Sequence, residues 1–431
     1  MKILLLLSES WNDKTAPNNN LTNWFLNFPN VEIWTISGNG QLPENRCCKD
    51  YFQVSENGML KSIFTGNKVG KTYHFADYPQ DETKGKMLQK KKVKSIFSNE
   101  AARLCRDFVW RYGRYDVEAL KKFISDCQPD IILTQRRGSV KMCRLEQLVM
   151  SFTDAPMVAY TGDDEYSLQQ FSFSPIFWIR RFWVRKWLKK MIPQYRLFYC
   201  QSERQMKEFA KEFGVEMKFL VKCGDFEKEK IHQQVGQPIQ LVYAGKLYCN
   251  RWKTLAILVE EIEKVNAKYD KEKVKLNIYT TDRITKKQNQ MLNNGTSSII
   301  HGAVPGSELP KIYNNSDVVL HIESFDLKNR LLTQDSFSTK VMDCLASGCA
   351  VMAICWKGHA AYQYLEKKDA ALVADSREKI RLLLERMVSN VNVILEYSQK
   401  AYLCGQENHQ REQIQDMLKR DFERIIAENV C

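Results

Sequence analysis

Short apolar runs alternate with helix-like stretches through most of this chain, and that alternation limits the fold more than any other feature. It is the pattern of βα units feeding parallel sheets. Ile3 to Leu7, Val31 to Ile36, Asp130 to Thr134, Met157 to Thr161 and Leu197 to Cys200 read as strands, with Phe219 to Cys223 as a last one, and Pro129 and Pro156 precede two of them. The plan then repeats in Leu241 to Ala244, Leu276 to Thr280, Ser298 to Gly302, Val318 to Ile322, Ala350 to Cys355 and Ala370 to Val373. Between the halves, Gln234 to Pro238 is polar and turn-prone, so the boundary is expected there. Residues 1–235 then form one Rossmann-like domain, 236–390 a second, and 391–431 a helical tail that packs back across a cleft. Residues 55 to 100, including KGKMLQKKKVK, lack clear periodicity and read as a long basic excursion from the first sheet.

At 431 residues the chain exceeds what one hydrophobic core usually serves. A hydrophobic fraction of 44% with 11% aromatics suits packed domains and excludes both disorder and a membrane bundle. Lys and Arg outnumber Asp and Glu by 64 to 51, a balance that favours anionic partners: phosphates, acidic lipid or nucleic acid. No RRM, KH or zinc-finger signature appears, so no nucleic-acid partner is expected. Thirteen cysteines, an odd number without a CxxC pair, read as reduced thiols of a cytoplasmic protein. The apolar run in MKILLLLS is too short for a leader or a membrane span and reads as a buried strand.

In LVYAGKL a strand ends at Gly245, and Lys246 follows at its carboxyl end, where open α/β sheets place ligands. Arg251 lies just ahead of the next helix, so two cations could face one anion; two solvated loop cations are the bland alternative. DSFSTKVMDCLASGCAVMA puts Ser338, Thr339 and Lys340 at a strand-to-helix turn suited to a diphosphate and closes on small residues around Gly348. Asp335 and Asp343 could accept hydrogen bonds from sugar hydroxyls. Asp343 taken alone reads more often as a surface or first-turn carboxylate.

These segments resemble glycosyltransferase family 4 and its GT-B relatives. Those enzymes carry a glutamate, seven residues, a second glutamate, a small-residue ASG turn and an apolar strand. Here the pattern appears as Asp335, Asp343, then Ala346, Ser347, Gly348 and AVMAI. HGAVPGSELPKIYNNSDVVL resembles the preceding strand, turn and helix, with Gly302, Leu309 and Asp317 in register, and GKLYCNR resembles the family's glycine, cation and later cation. The resemblance implies a GT-B architecture, two Rossmann-like doubly wound domains facing a central cleft. It places Lys246 and Arg251 on the donor diphosphate, Asp335 on the transferred sugar and Asp343 on the ribose. The chain departs from the pattern in its two aspartates and in Lys340, which stands where an uncharged residue is common.

In the first half, APMVAYTGDDEYS sets Asp163 and Asp164 just past a strand end, where either could orient or deprotonate an acceptor hydroxyl, or simply cap a helix. Asn18 in the loop after the first strand, and Arg136 and Arg137 after IILTQ, are candidate acceptor contacts. In PIFWIRRFWVRKWLKKMI, Trp183, Val184, Trp187, Leu188 and Met191 share one helical face, with Arg185, Lys186, Lys189 and Lys190 opposite. That reads either as an interfacial helix on anionic lipid or as an amphipathic core helix with a basic solvated side.

The expected reaction is transfer of a sugar from a nucleotide sugar, UDP- or GDP-linked, to a glycan or lipid-linked acceptor in polysaccharide or glycoconjugate assembly. The resemblance implies retention of configuration. No metal is expected, since no Asp-x-Asp motif appears and the histidines lack ligand spacing. A nucleotide-sugar epimerase or hydrolase of the same fold, or a membrane-associated scaffold with a decayed donor site, are the competing readings. The expected location is the cytoplasm or the inner face of the cell membrane.

Overall fold

The computed structural model describes residues 1–13, 19–40, 43–48, 50–74, 100–227 and 230–430. They form two compact units, one of Met1–Leu168, Ser172–Leu220 and Gln415–Cys431, the other of Gln169–Phe171 and Val221–Ile414.

In the first unit the strands are β1 (Lys2–Leu7), β2 (Glu32–Ser37), β3 (Asp50–Gln53), β4 (Lys71–His74), β5 (Ile131–Gln135), β6 (Met157–Tyr160), β7 (Leu197–Cys200) and β8 (Met217–Phe219). They lie in the order β4-β3-β2-β1-β5-β6-β7-β8. Every pair is parallel except β3 with β4. Ile3 to Leu7 are all fully buried, as a central parallel strand covered on both faces requires. The helices are α1 (Asn19–Phe25), α2 (Glu56–Thr65), α3 (Glu100–Tyr112), α4 (Val117–Cys127), α5 (Val140–Met150), α6 (Pro175–Met191) and α7 (Glu203–Phe213). Asp116 and Ser202 start α4 and α7 by accepting the Ala119 and Gln205 N–H groups, as N-caps do.

In the second unit β9 (Ile239–Ala244), β10 (Val274–Tyr279), β11 (Ser298–Gly302), β12 (Val318–Ile322), β13 (Ala350–Ile354) and β14 (Leu372–Ala374) lie in the order β11-β10-β9-β12-β13-β14, all parallel. They alternate with α8 (Arg251–Asn266), α9 (Lys286–Leu292), α10 (Leu309–Asn314), α11 (Leu327–Thr333), α12 (Lys340–Leu345) and α13 (Ala360–Lys367), followed by α14 (Arg377–Ser389), α15 (Asn392–His409) and α16 (Arg411–Val430). The last part of α16 belongs to the first unit, where Asp421 accepts a 2.7 Å bond from the Tyr199 hydroxyl. Each sheet reverses its strand order once, between β1 and β5 and between β9 and β12, and a crevice opens at the carboxyl ends of strands at such a point.

The α/β reading with a helical tail holds, with two corrections. Residues 50–74 supply two strands and a helix; β3 and β4 lie at one end of the sheet and have only four residues each, too few to register as a period. KGKMLQKKKVK lies outside the described residues. The last strand of the first sheet is Met217–Phe219, because Leu220 to Cys223 already belong to the connection between the units.

Candidate functional site

At the second unit's reversal point, β9 ends beside Gly245. A Cβ there would collide with Lys340 Nζ and come within 2.8 Å of the Tyr243 hydroxyl, so only glycine lets the lysine amine rest against the strand end. Lys340 is the first residue of α12, and Ser338 and Thr339 lie just before it, partly buried. Burial, reinforced by repulsion from Arg251, pushes the Lys340 ammonium down to about 8. Among the described residues this amine has no hydrogen-bonded carboxylate, so it lies at the strand end as a partly desolvated amine. Lys246, next along, is exposed.

Arg251 is not the free cation that its sequence position suggested. It opens α8, and its guanidinium grips Glu323 through two bonds, Nε to Oε2 at 3.0 Å and Nη2 to Oε1 at 2.5 Å. Burial opposes both charges, but the pairing wins: Glu323 is held below the usual carboxylate range and Arg251 above its ordinary value. Glu323 directly follows β12, the strand that pairs with β9, and its own carbonyl accepts from the Thr254 hydroxyl. Glu323 drew no attention in the sequence, where nothing pairs it with Arg251.

Asp335 is 2% exposed in the connection from α11 to α12, beside Gln334, whose carbonyl accepts the Ala360 N–H at the start of α13. Asp343 sits on α12 and binds Lys222 Nζ at 2.6 Å, with two fifths of its side chain exposed. Gly348 has φ of +80°, and a Cβ there would collide with the Lys230 carbonyl. Its own carbonyl accepts from His232 N–H at 3.1 Å and from the Ser398 hydroxyl, so the small-residue turn docks the incoming chain and α15 against β13.

His321, Cys355 and His359 also converge in this unit, buried, at the ends of β12 and β13 and the start of α13. The histidines had looked scattered along the chain; parallel pairing of β12 with β13 brings them together. Burial pushes the His321 imidazole down to about 3, so it is neutral near pH 7.

In the first unit the carboxyl edge behaves differently from expectation. Arg136 turns inward: its guanidinium is bonded to both Glu146 oxygens, at 2.9 and 2.7 Å, and to the Tyr195 hydroxyl at 3.3 Å, with 2% of its side chain exposed. It is a core ion pair and not an acceptor contact, because α5 places Glu146 directly against β5. Arg137 is partly buried and has no ion pair among the described residues. Asp164 is also committed to structure: its carboxylate accepts from Tyr166 N–H (3.1 Å), Ser167 N–H (2.8 Å) and Arg181 Nη2 (3.1 Å). Asp163 stays exposed, its carbonyl fixed by Thr161 and Gln205. Asn18 lies outside the described residues.

Glu165, which drew no attention in the sequence, packs its Cβ against Gly138 in the loop after β5. Its Oε2 is sealed from solvent, and burial pushes its carboxyl up to about 8 despite Arg136 and Arg137. Lys141, also missed, donates to the Ser8 and Gly38 carbonyls at 2.5 and 2.9 Å and so ties the loops after β1 and β2 together. Burial first, and then Arg106, push its amine down to about 7.

The apolar stripe of α6, read either as lipid-facing or as core, is core. Val184, Leu188 and Met191 are buried and Trp187 packs against them, because the helix closes over α3 and α5. Trp183 and Arg185 are partly buried, and Arg185 lies over the Tyr166 ring at 3.8 Å. Lys189 pairs with Glu212 at 3.4 Å, while Lys186 and Lys190 are exposed. The outward apolar residues are instead Phe173 (89% exposed), Ile176, Ile179 and Phe182. No described helix is long and apolar enough to cross a membrane.

A sequence family described as "Glycosyl transferase-like" matches residues 294–419. No curated protein matches the chain. Among solved structures, the chain is similar to sucrose-phosphate synthase from Thermosynechococcus elongatus, with a TM-score of 0.62, 10% identity and 99% and 100% of the two chains covered. It is similar to Anabaena HepE in complex with UDP, with a TM-score of 0.60, 12% identity and 98% and 100% covered. It is also similar to the UDP-forming trehalose-phosphate synthase of Burkholderia xenovorans in complex with glucose-6-phosphate, with a TM-score of 0.57, 10% identity and 98% and 100% covered. The fold is therefore that of GT-B glycosyltransferases.

Proposed function

We propose that this protein transfers a sugar from a nucleotide sugar to a glycan or lipid-linked acceptor, with retention of configuration and without a metal ion at the bond that breaks. The observation that carries the reading is the Lys340 amine, seated against Gly245 at the β9/β12 reversal point with no hydrogen-bonded carboxylate among the described residues. The family match over residues 294–419, which include Asp335, Lys340 and Asp343, and the GT-B fold support it.

The sugar–phosphate bond breaks with its electron pair passing to the diphosphate, so negative charge grows on oxygen. Fixed cations at a strand end stabilise that charge without reorganising. In this reading Lys340 and Lys246 meet the diphosphate, joined by the turn at Ser338 and Thr339. Arg251, neutralised by Glu323, shapes the crevice and contributes its field more than a free charge. Asp335 takes the transferred sugar, and Asp343 exchanges Lys222 for the ribose hydroxyls. The first unit takes the acceptor, with Asp163 on its hydroxyl and Glu165, protonated near neutrality, beside it. A lipid-linked acceptor would bring Phe173, Ile176, Ile179 and Phe182, with Lys186 and Lys190, to an anionic surface. The finer placement in family 4 rests on Asp335, Asp343 and the ASG turn.

The test is release of nucleoside diphosphate from a panel of UDP- and GDP-sugars by the full-length protein, with cell-extracted glycans and lipids as acceptors. Release that depends on acceptor and falls about 100-fold or more in Lys340→Met is expected, the size of a lost charge-stabilising group. Release with free sugar and no acceptor product would identify a hydrolase, and no release from any donor would remove the transferase reading.

A further inference from the structure

We propose that His321, Cys355 and His359 form a binding site for a transition-metal ion of the zinc type, set into the second unit beneath the β12/β13 edge of the crevice. Their donor atoms all lie within 4.8 Å of one another, and the residues are 4%, 0% and 2% exposed. A tetrahedral ion holds such donors roughly 3.3–3.6 Å apart, from bonds of about 2.0–2.3 Å, so side-chain adjustments of about 1 Å complete the set. His321 Nε2 is buried and has no hydrogen-bond partner among the described residues, an arrangement that a lone pair directed at a cation resolves.

Two imidazoles and a thiol suit zinc, cobalt or copper far better than magnesium or calcium, which prefer oxygen. Three protein ligands leave a fourth position, and Glu323 is near enough to interact electrostatically with all three residues. Binding transfers the Cys355 thiol proton to water and leaves a thiolate on the ion. It also ends the 3.2 Å bond that His359 Nδ1 accepts from Ala361 N–H, since either ring nitrogen can ligate only if Nδ1 stops accepting. The ion would fasten β12, β13 and α13 to each other with His321 two residues from Glu323, and so hold in place the carboxylate that orients Arg251. This is a structural ion, and it does not depend on any nucleotide being bound.

The experiment uses the full-length protein produced in zinc- or cobalt-supplemented medium, freed of loose metal by dialysis. About one ion per chain is expected by elemental analysis, and the cobalt form should show visible d–d bands of tetrahedral intensity with a near-ultraviolet charge-transfer band from one thiolate. Cys355→Ser should abolish the charge-transfer band, and His321→Ala should lower the metal content several-fold, whereas Cys105→Ser, at an exposed position, should leave both unchanged. Folded wild-type protein without stoichiometric metal, or a thiolate band retained in Cys355→Ser, would overturn the proposal. Should the Cys355 and His321 variants fail to fold, the wild-type stoichiometry and cobalt spectrum decide the matter alone. Nucleotide is absent throughout, so a negative result here leaves the transferase reading untouched.

Discussion

Lys340 and Arg136 show how little a basic residue at a strand end reveals until its neighbours are known. Both follow parallel strands or open helices at the carboxyl edge of a sheet, and both suggested anionic ligands. Lys340 drew attention because Ser338 and Thr339 precede it at a turn. Arg136 was not, since nothing in the sequence says that Glu146, ten residues later, faces it across α5. Removing that carboxylate strands a buried guanidinium, so Glu146→Ala should destabilise the first unit by about 3–5 kcal/mol in urea unfolding. For Lys340 the consequence is a pH profile. Its amine titrates at about 8 in the free protein, so diphosphate binding should weaken as pH rises above 8, and Lys340→Met should remove that dependence along with most of the affinity. The same depressed value means that an unfolded chain binds this proton more readily between pH 8 and about 10.4. Lys340 therefore costs stability below pH 8, and the cost fades as pH rises through that interval. Lys340→Met should be more stable than wild type at pH 7, and a less stable variant would contradict the burial argument.

At the scale of elements, the buried parallel strands were legible because uninterrupted apolar runs have few other uses. Ile3 to Leu7 and Ala350 to Ile354 are buried throughout. Strands β3 and β4 were not, since four residues carry too weak a pattern. The α6 segment was legible as an amphipathic helix but not as to which way it turned: sequence gives the angle between faces, while packing on α3 and α5 decides which is covered. Trp187→Ala should accordingly lower stability, and Phe173→Ser with Phe182→Ser should leave stability unchanged and reduce flotation with anionic vesicles if acceptor lipids are met there. The Gly348 turn was read as part of a sugar-donor motif, and its geometry adds a packing role. Gly348→Ala forces a side chain into left-handed backbone, at about 1–2 kcal/mol, and drives a methyl into the Lys230 carbonyl, so the loss in thermal unfolding should exceed that figure.

Across the whole molecule, two parallel sheets that each reverse strand order once explain why chemistry-bearing residues collect where they do. Gly245 and Arg251, from the β9–α8 connection, meet Glu323 and Lys340, from segments far along the chain, because β9 and β12 are neighbours. The repeated βα pattern was enough to reach this architecture. The pairings at the crevice were beyond it, since they depend on strand order, which single residues do not encode. The most direct check of the central claim is calorimetric titration of UDP, GDP, CDP and ADP into the full-length protein and into Lys340→Met. One nucleoside diphosphate should bind the wild type at one site per chain, with affinity reduced about 10- to 100-fold in the variant, the size of a lost charge-assisted contact. Equal binding to both proteins, or no binding of any nucleotide to the wild type, would contradict the account.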